Sequence, residues 1–128
     1  MKRILVDMSA TIIHHGHIRL LKKAKEMGHV VVALTTDEEV LRAKGYMPEL
    51  AYEFRKEILE AIVYVDEVVP AKWLIDDTFL ENNNIDCLVH GTDNSNPIRV
   101  SKLVVLPRTE GISSTIIRER VLSNVKKL

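Results

Sequence analysis

The sequence predicts an α/β domain, a single doubly wound parallel sheet of about five strands with helices on both faces. Three observations carry that prediction. Short apolar runs alternate with amphipathic segments of helical period along all 128 residues. The run Val30-Val31-Val32-Ala33-Leu34 is continuously apolar instead of alternating, as a parallel strand covered on both faces must be. Finally, the polar, glycine-containing stretches 9–17, 91–97 and 108–115 each follow directly on an apolar run. All three can therefore line one crevice beyond the carboxyl ends of the strands, where such sheets bind ligands.

Ile4-Leu5-Val6 opens the chain as a buried strand that runs into the small polar stretch Ser9-Ala10-Thr11. From His17 to Met27 the apolar residues Ile18, Leu20, Leu21, Ala24 and Met27 recur at helical spacing between basic ones, and Gly28 is placed as a C-cap. After the strand 30–34 a second crossover begins at Thr36-Asp37. Residues 41–50, with Lys44-Gly45 and Pro48, are the least regular and read as a mobile loop. Phe54, Ile58, Leu59 and Ile62 restore a helical stripe over 52–63, and 65–69 reads as a strand stopped by Pro70. A short helix over 73–80, strands over 85–90 and 103–106, and a last helix capped by Ser113 or Ser114 complete the pattern. That last helix carries the stripe Ile117, Val121, Leu122 and Val125. No repeat or linker interrupts the chain, so residues 1–128 are expected to form one domain.

The composition, 46% hydrophobic and 28% charged, excludes disordered and collagen-like chains. Eighteen basic residues balance eighteen acidic ones, so no bulk field draws the protein to nucleic acid or to an anionic membrane. Any anion it binds must be held locally. One cysteine, Cys87, allows no internal disulfide, and no segment has the apolar length of a signal peptide or membrane span. The expected location is the cytoplasm.

The densest chemical cluster is His14-His15-Gly16-His17, at the junction of the first loop and first helix. Residues 14 and 17 are three apart, so a turn can point both rings the same way, and Gly16 lets backbone approach a ligand closely. Two imidazoles beside free helix N-terminal N–H groups suit an anion, phosphate above all. Solvated loop histidines are the bland alternative. A metal pair lacks a third ligand and the glutamate of the metalloprotease helix, so no protein-held metal is expected.

Histidine-x-glycine-histidine after the first strand resembles the signature of the nucleotidyltransferase superfamily. Near the other end, Arg108-Thr109-Glu110-Gly111-Ile112-Ser113-Ser114-Thr115 resembles the R-T-E-G-I-S-[ST]-T stretch of bacterial glycerol-3-phosphate cytidylyltransferases. Between them the resemblance continues through 52–60, 64–70 and Val89-His90-Gly91-Thr92-Asp93, the last being similar to the V-H-G-x-D of ethanolamine-phosphate cytidylyltransferases. Residues 8–17 resemble the M-S-A-D-x-I-H-H-G-H of cytidylyltransferase domains in phosphonate pathways. It thus spans nearly the whole chain.

The resemblance implies a Rossmann-like fold and transfer of CMP from CTP to a small phosphorylated alcohol, glycerol 3-phosphate first. Ethanolamine phosphate, a phosphonate such as 2-hydroxyethylphosphonate, and an ATP-dependent adenylyl transfer are the alternatives. It implies Mg²⁺ arriving with the triphosphate, a homodimer, and no nucleic-acid or membrane partner. His14, His17, Lys44 and Arg108 are the implied catalytic residues, and Arg55 is assigned to the acceptor. The implied nucleotide site joins Ser9, Ala10, Gly16, Gly91, Asp93, Gly111, Ile112, Ser113, Ser114, Thr115 and Arg118 to these histidines and Arg108. Thr11 stands where most relatives have aspartate, Thr92 where glycerol-3-phosphate enzymes have the first aspartate of G-D-D, and Val63 where several have a basic residue. Those departures motivate a non-catalytic nucleotide-binding module as a further alternative.

Overall fold

The computed structural model describes residues 1–126. Its elements are β1 (Arg3–Met8), α1 (His15–Met27), β2 (His29–Thr35), α2 (Asp37–Lys44), α3 (Tyr52–Glu60), β3 (Glu67–Ala71), α4 (Asp77–Asn82), β4 (Cys87–Gly91), β5 (Leu103–Leu106) and α5 (Ser114–Lys126), with a 3-10 turn at Val100–Lys102 before β5. The strands form one parallel sheet in the order β3-β2-β1-β4-β5. The doubly wound prediction is correct, and strand order reverses between β1 and β4.

Successive side chains of a strand point to opposite faces, so each buried strand serves two cores. On one face Ile4, Val6, Val30, Val32 and Leu34 pack with Leu21 and Ala24 of α1 and Leu59 of α3. On the other, Leu5, Val31, Ala33 and Leu88 pack with Ile75, Leu80 and Ile85 around α4. The unbroken apolar run in β2 is the sequence mark of this double burial.

Several boundaries differ from the sequence reading. Residues 41–44 belong to α2, which has Asp37, Glu38 and Glu39 in its first turn and Arg42 and Lys44 in its last. Those charges complement the helix dipole, but only Val40 is buried, so the apolar signal was faint. The helix ends at Gly45, whose φ of +79° is left-handed and whose N–H donates to Leu41 O. The irregular segment is therefore 45–51, and α3 stops at Glu60 instead of running to Val63.

Strand β3 starts at Glu67 and passes through Pro70 to Ala71. It is an edge strand paired only with β2, where a missing N–H is tolerated. Helix α4 begins four residues later than expected, because Asp76 caps it by accepting from Phe79 N–H at 2.9 Å. Gly28 closes α1 in an extended conformation, not a left-handed one. Glycine is required there because a Cβ would lie 2.3 Å from Lys2 O.

Candidate active site

His14 is the N-cap of α1, and imidazoles take the capping roles usually held by Ser and Glu. Gly16 N–H donates to His14 Nδ1 at 3.1 Å, and His14 N–H donates to His17 Nδ1 at 3.1 Å. Each Nδ1 is thus an acceptor, which puts the ring proton on Nε2. The two rings lie 4.0 Å apart, centroid to centroid. A Cβ on Gly16 would meet His14 Cε1 at 2.8 Å and Nδ1 at 2.9 Å, so this glycine makes room for the histidine ring and not directly for a ligand.

Both imidazoles are held neutral. Burial, then the neighbouring His14, lowers the pKa of His17 to about 4. Burial is also the main cause for His14, followed by the charges of His15 and Arg108. Near neutral pH the pair therefore offers two Nε2–H donors at the start of a helix, an arrangement suited to phosphate oxygens.

The loop after β1 turns sharply at Ala10, which is buried and left-handed at φ +46°. For a non-glycine residue that conformation costs about 1–3 kcal/mol and occurs mainly at functional sites. It places Ser9 and Thr11, on either side, against the same cavity. Thr11 Oγ1 accepts from Arg118 of α5 at 2.7 Å. Arg118 also donates to Tyr46 OH at 3.1 Å and to Glu49 Oε2 at 2.7 Å. With threonine at position 11, its carboxylate partner comes from the 45–51 segment.

Ser113 caps α5 by accepting Ile116 N–H at 3.1 Å. Ser114 Oγ donates to Ile12 O at 3.1 Å, tying the start of α5 to the loop that feeds α1. Residues of both helix starts line the same cavity. Across the β1–β4 junction, Asp7 Oδ1 pairs with His90 Nδ1 at 2.8 Å, while Asn96 Nδ2 donates to Asp7 Oδ2 at 3.1 Å. A Cβ on Gly91 would lie 2.9 Å from Arg108 Cγ and 2.9 Å from Asp93 Oδ1. Glycine lets those two side chains approach, and they pair at 3.4 Å.

Most of these residues border one cavity of about 580 Å³ at the switch point, a size suited to a small-molecule ligand. Of the residues singled out from sequence, Ser9, His14, Gly16, His17, Lys44, Gly91, Asp93, Arg108, Ile112, Ser113, Ser114, Thr115 and Arg118 line it. Lys44 ends a helix instead of lying in a loop, and its Nζ sits 5.5 Å from the Trp73 ring centroid. Ala10 and Gly111 shape the walls from behind; Gly111 is a left-handed turn residue at φ +74°.

Arg55 is not brought to the cavity, which corrects its assignment to the acceptor. It is fully buried, donating from Nη1 to Ser9 O at 2.6 Å and Thr35 O at 2.9 Å, and from Nε to Leu50 O at 3.0 Å. Its Nη2 binds Asp37 Oδ1 at 2.6 Å. With the guanidinium so engaged, Arg55 is a strut that fixes the loop after β1.

The sequence reading passed over Asp7, His90, Asn96, Trp73, Tyr46 and Glu49. A signal existed for two of them: Asp7 and His90 each interrupt an apolar strand near its carboxyl end. The others reach the site from loops whose path the sequence does not reveal. Among the described residues, no cluster of three or more His, Cys, Asp or Glu is arranged to hold a metal ion.

A doubly wound sheet whose switch point carries two helix starts on one cavity, with neutral imidazoles and arginines, defines a domain suited to binding phosphate-bearing groups. The chain belongs to the Cytidylyltransferase-like family, whose profile matches residues 9–120. It is 43% identical to a glycerol-3-phosphate cytidylyltransferase of Bacillus subtilis, over 94% of this chain and 98% of that one. The Staphylococcus aureus glycerol-3-phosphate cytidylyltransferase is 39% identical, over 94% of this chain and 96% of its own length. An ethanolamine-phosphate cytidylyltransferase of Mus musculus is 32% identical over 94% of this chain, which spans only 32% of that protein. A solved structure, a lipopolysaccharide core biosynthesis protein of Thermoplasma volcanium, shares the fold with a TM-score of 0.71 and 20% identity, covering 86% of this chain and 99% of that one.

Proposed function

We propose that this chain is a CTP-dependent cytidylyltransferase that transfers CMP to glycerol 3-phosphate. One observation carries the reading: the helix starts of α1 and α5 converge on one cavity, in a chain that matches glycerol-3-phosphate cytidylyltransferases over nearly their whole length. An acceptor phosphate oxygen attacks the α-phosphorus of CTP, one P–O bond forms, and the bond to the leaving pyrophosphate breaks. The protein's task is positioning and charge stabilisation.

In this reading the Nε2–H groups of His14 and His17 donate to the transferring phosphates. The unpaired N–H groups at the start of α5, with Ser9 and Thr115, orient the triphosphate, and Arg108, Arg118 and Lys44 offset its charge. Asp93 is assigned to the base or ribose. Two carboxylates line the cavity; Asp7 is engaged by His90 and Asn96, and Asp93 faces Arg108. That donor set fits Mg²⁺ carried on the triphosphate's own oxygens, where the ion would withdraw charge from the phosphates during transfer.

The test incubates the purified protein with Mg²⁺, CTP or ATP, and glycerol 3-phosphate, ethanolamine phosphate or 2-hydroxyethylphosphonate, reading pyrophosphate and the new diphosphate linkage by phosphorus NMR. Turnover with CTP and glycerol 3-phosphate is expected. Turnover only with another acceptor refutes the assignment of substrate, and turnover only with ATP refutes the assignment of nucleotide. CTP binding without turnover of any pair would favour either an untried acceptor or a non-catalytic module.

The same reading includes a homodimer in the cytoplasm. Val121, Leu122 and Val125 of α5 are 53–60% exposed, an apolar stripe available to a second copy. Light scattering after gel filtration gives twice the 14.6 kDa chain mass if the dimer forms and the single mass if it does not. No helix among the described residues is long and apolar enough to cross a membrane.

A further inference from the structure

The three imidazoles that line the cavity approach it from two faces of the sheet. The His14 and His17 rings belong to α1, whose helix packs on the face that includes Val6 and Val89. Asp7 and His90 follow those residues and therefore project toward the α4 face. Here a third imidazole, His90, lines the cavity in an environment opposite to that of the first two.

The geometry fixes what this ring presents. Nδ1 is taken by Asp7 Oδ1 at 2.8 Å, and the other oxygen of Asp7 is held by Asn96, whose Oδ1 accepts Ile75 N–H at 2.7 Å. Asp7 side-chain exposure is 13% and that of His90 is 21%, so water screens the pair only partly. With Nδ1–H spent on the carboxylate, Nε2 is the nitrogen left to serve the cavity; Asp93 Oδ1, 3.7 Å away, is beyond good hydrogen-bond range. A carboxylate behind an imidazole fixes its orientation and supports its protonated form.

We propose that His90, held by Asp7 and Asn96, binds the anionic acceptor, its Nε2–H donating to a phosphoryl or phosphonyl oxygen on the α4 side of the cavity. The proposal rests on the transfer reading above. It assigns different tasks to the histidines: two neutral rings face the triphosphate and the third, in its protonated form, receives the attacking anion. When protonated, that ring also supplies a cationic contact where Arg55, buried beneath the loop, does not.

The charged groups facing His90 are Asp7 from β1, Asp93 from the loop after β4 and Arg108 from the loop after β5. Burial opposes its protonation, but the hydrogen bond and charge of Asp7, with Asp93, outweigh burial and Arg108 and raise its pKa above 6.5. Acceptor use should therefore fall as pH rises through that raised value. A phosphate monoester becomes a dianion above about pH 6, so the working window lies between the two ionisations.

The experiment combines kinetics with NMR of protein carrying nitrogen-15 in its histidines. His90→Gln should raise the KM for glycerol 3-phosphate at least tenfold, leave the KM for CTP within twofold and abolish the alkaline fall in acceptor kcat/KM. Asp7→Asn should move that fall to lower pH. In the wild-type protein, the ring signal absent from H90Q should titrate above pH 6.5 and shift with glycerol 3-phosphate or 2-hydroxyethylphosphonate, but not with CTP. A ring indifferent to both acceptors, an unchanged acceptor KM in H90Q, or an equal rise in the CTP KM overturns the proposal. Wild-type protein that shifts this signal with an acceptor yet releases no pyrophosphate refutes the transfer reading and leaves His90 as the anion-binding residue.

Discussion

Lowering the pH tests the site's architecture through stability alone, because His17 is folded in a form that acid opposes. Its pKa is lowered from 6.5 to about 4, mainly by burial and then by His14. Above 6.5 the ring is neutral in folded and unfolded chains, and its titration contributes nothing to their difference. Below 6.5 the unfolded chain binds a proton that the folded ring refuses, so stability falls with pH until about 4. At about 1.4 kcal/mol per pH step this one site accounts for at most about 3 kcal/mol over that interval. Carboxylates and the other histidines titrate too, so the quantity to measure is a difference between proteins.

In His17→Asn the side-chain oxygen can still accept His14 N–H, while the titrating ring is gone. Urea unfolding of both proteins at pH 7.5 and pH 4.5 should show the wild type losing about 2–3 kcal/mol more than the variant. A gap that stays constant within about 0.5 kcal/mol would show that His17 is not held neutral, and the donor role assigned to Nε2–H would fall with it. Activity lost through this ring should fail only as pH approaches about 4, where the folded imidazole takes up a proton and Nδ1 has no lone pair with which to hold His14 N–H.

Three further outcomes follow from the geometry. Gly16→Ala places a Cβ within 3 Å of the His14 ring, so kcat/KM should drop about 100-fold while unfolding free energy changes far less; unchanged turnover would show that ring placement is not critical. Arg55→Met leaves Ser9 O, Thr35 O and Asp37 without their buried donors, and should cost about 3–5 kcal/mol by urea titration, where a loss below about 1 kcal/mol would refute the strut. Glu49→Gln removes the carboxylate that pairs with Arg118 and that, in the transfer reading, competes there with phosphate; calorimetry should show CTP binding two- to fivefold tighter, in keeping with a partly exposed pair worth about 0.2–1 kcal/mol. Weaker binding would mean instead that Glu49 orients the arginine.

What was legible in the sequence follows from which signals are local. The apolar run 30–34 revealed a strand with two covered faces because burial itself wrote that pattern. Helix α2 was half missed because its stability lies in charges at its ends and a single buried valine. Strand β3 was cut at Pro70 because being at a sheet edge, which makes the proline tolerable, is a property of strand order and not of the residue.

The site divides in the same way. His14, Gly16 and His17 are readable because one turn of chain contains both the donors and the acceptors that align them. Arg55 was misplaced because periodicity says which face of a helix a residue occupies, but not that Ser9, Thr35, Leu50 and Asp37 bring their oxygens to meet it. The Asp7–His90 pair joins residues 83 apart, and only the parallel register of β1 and β4 makes them neighbours. Polar residues ending adjacent apolar strands thus gain a partner only when the strand order is known. That order turns two unremarkable positions, an aspartate after Val6 and a histidine after Val89, into a hydrogen-bonded pair on the cavity wall.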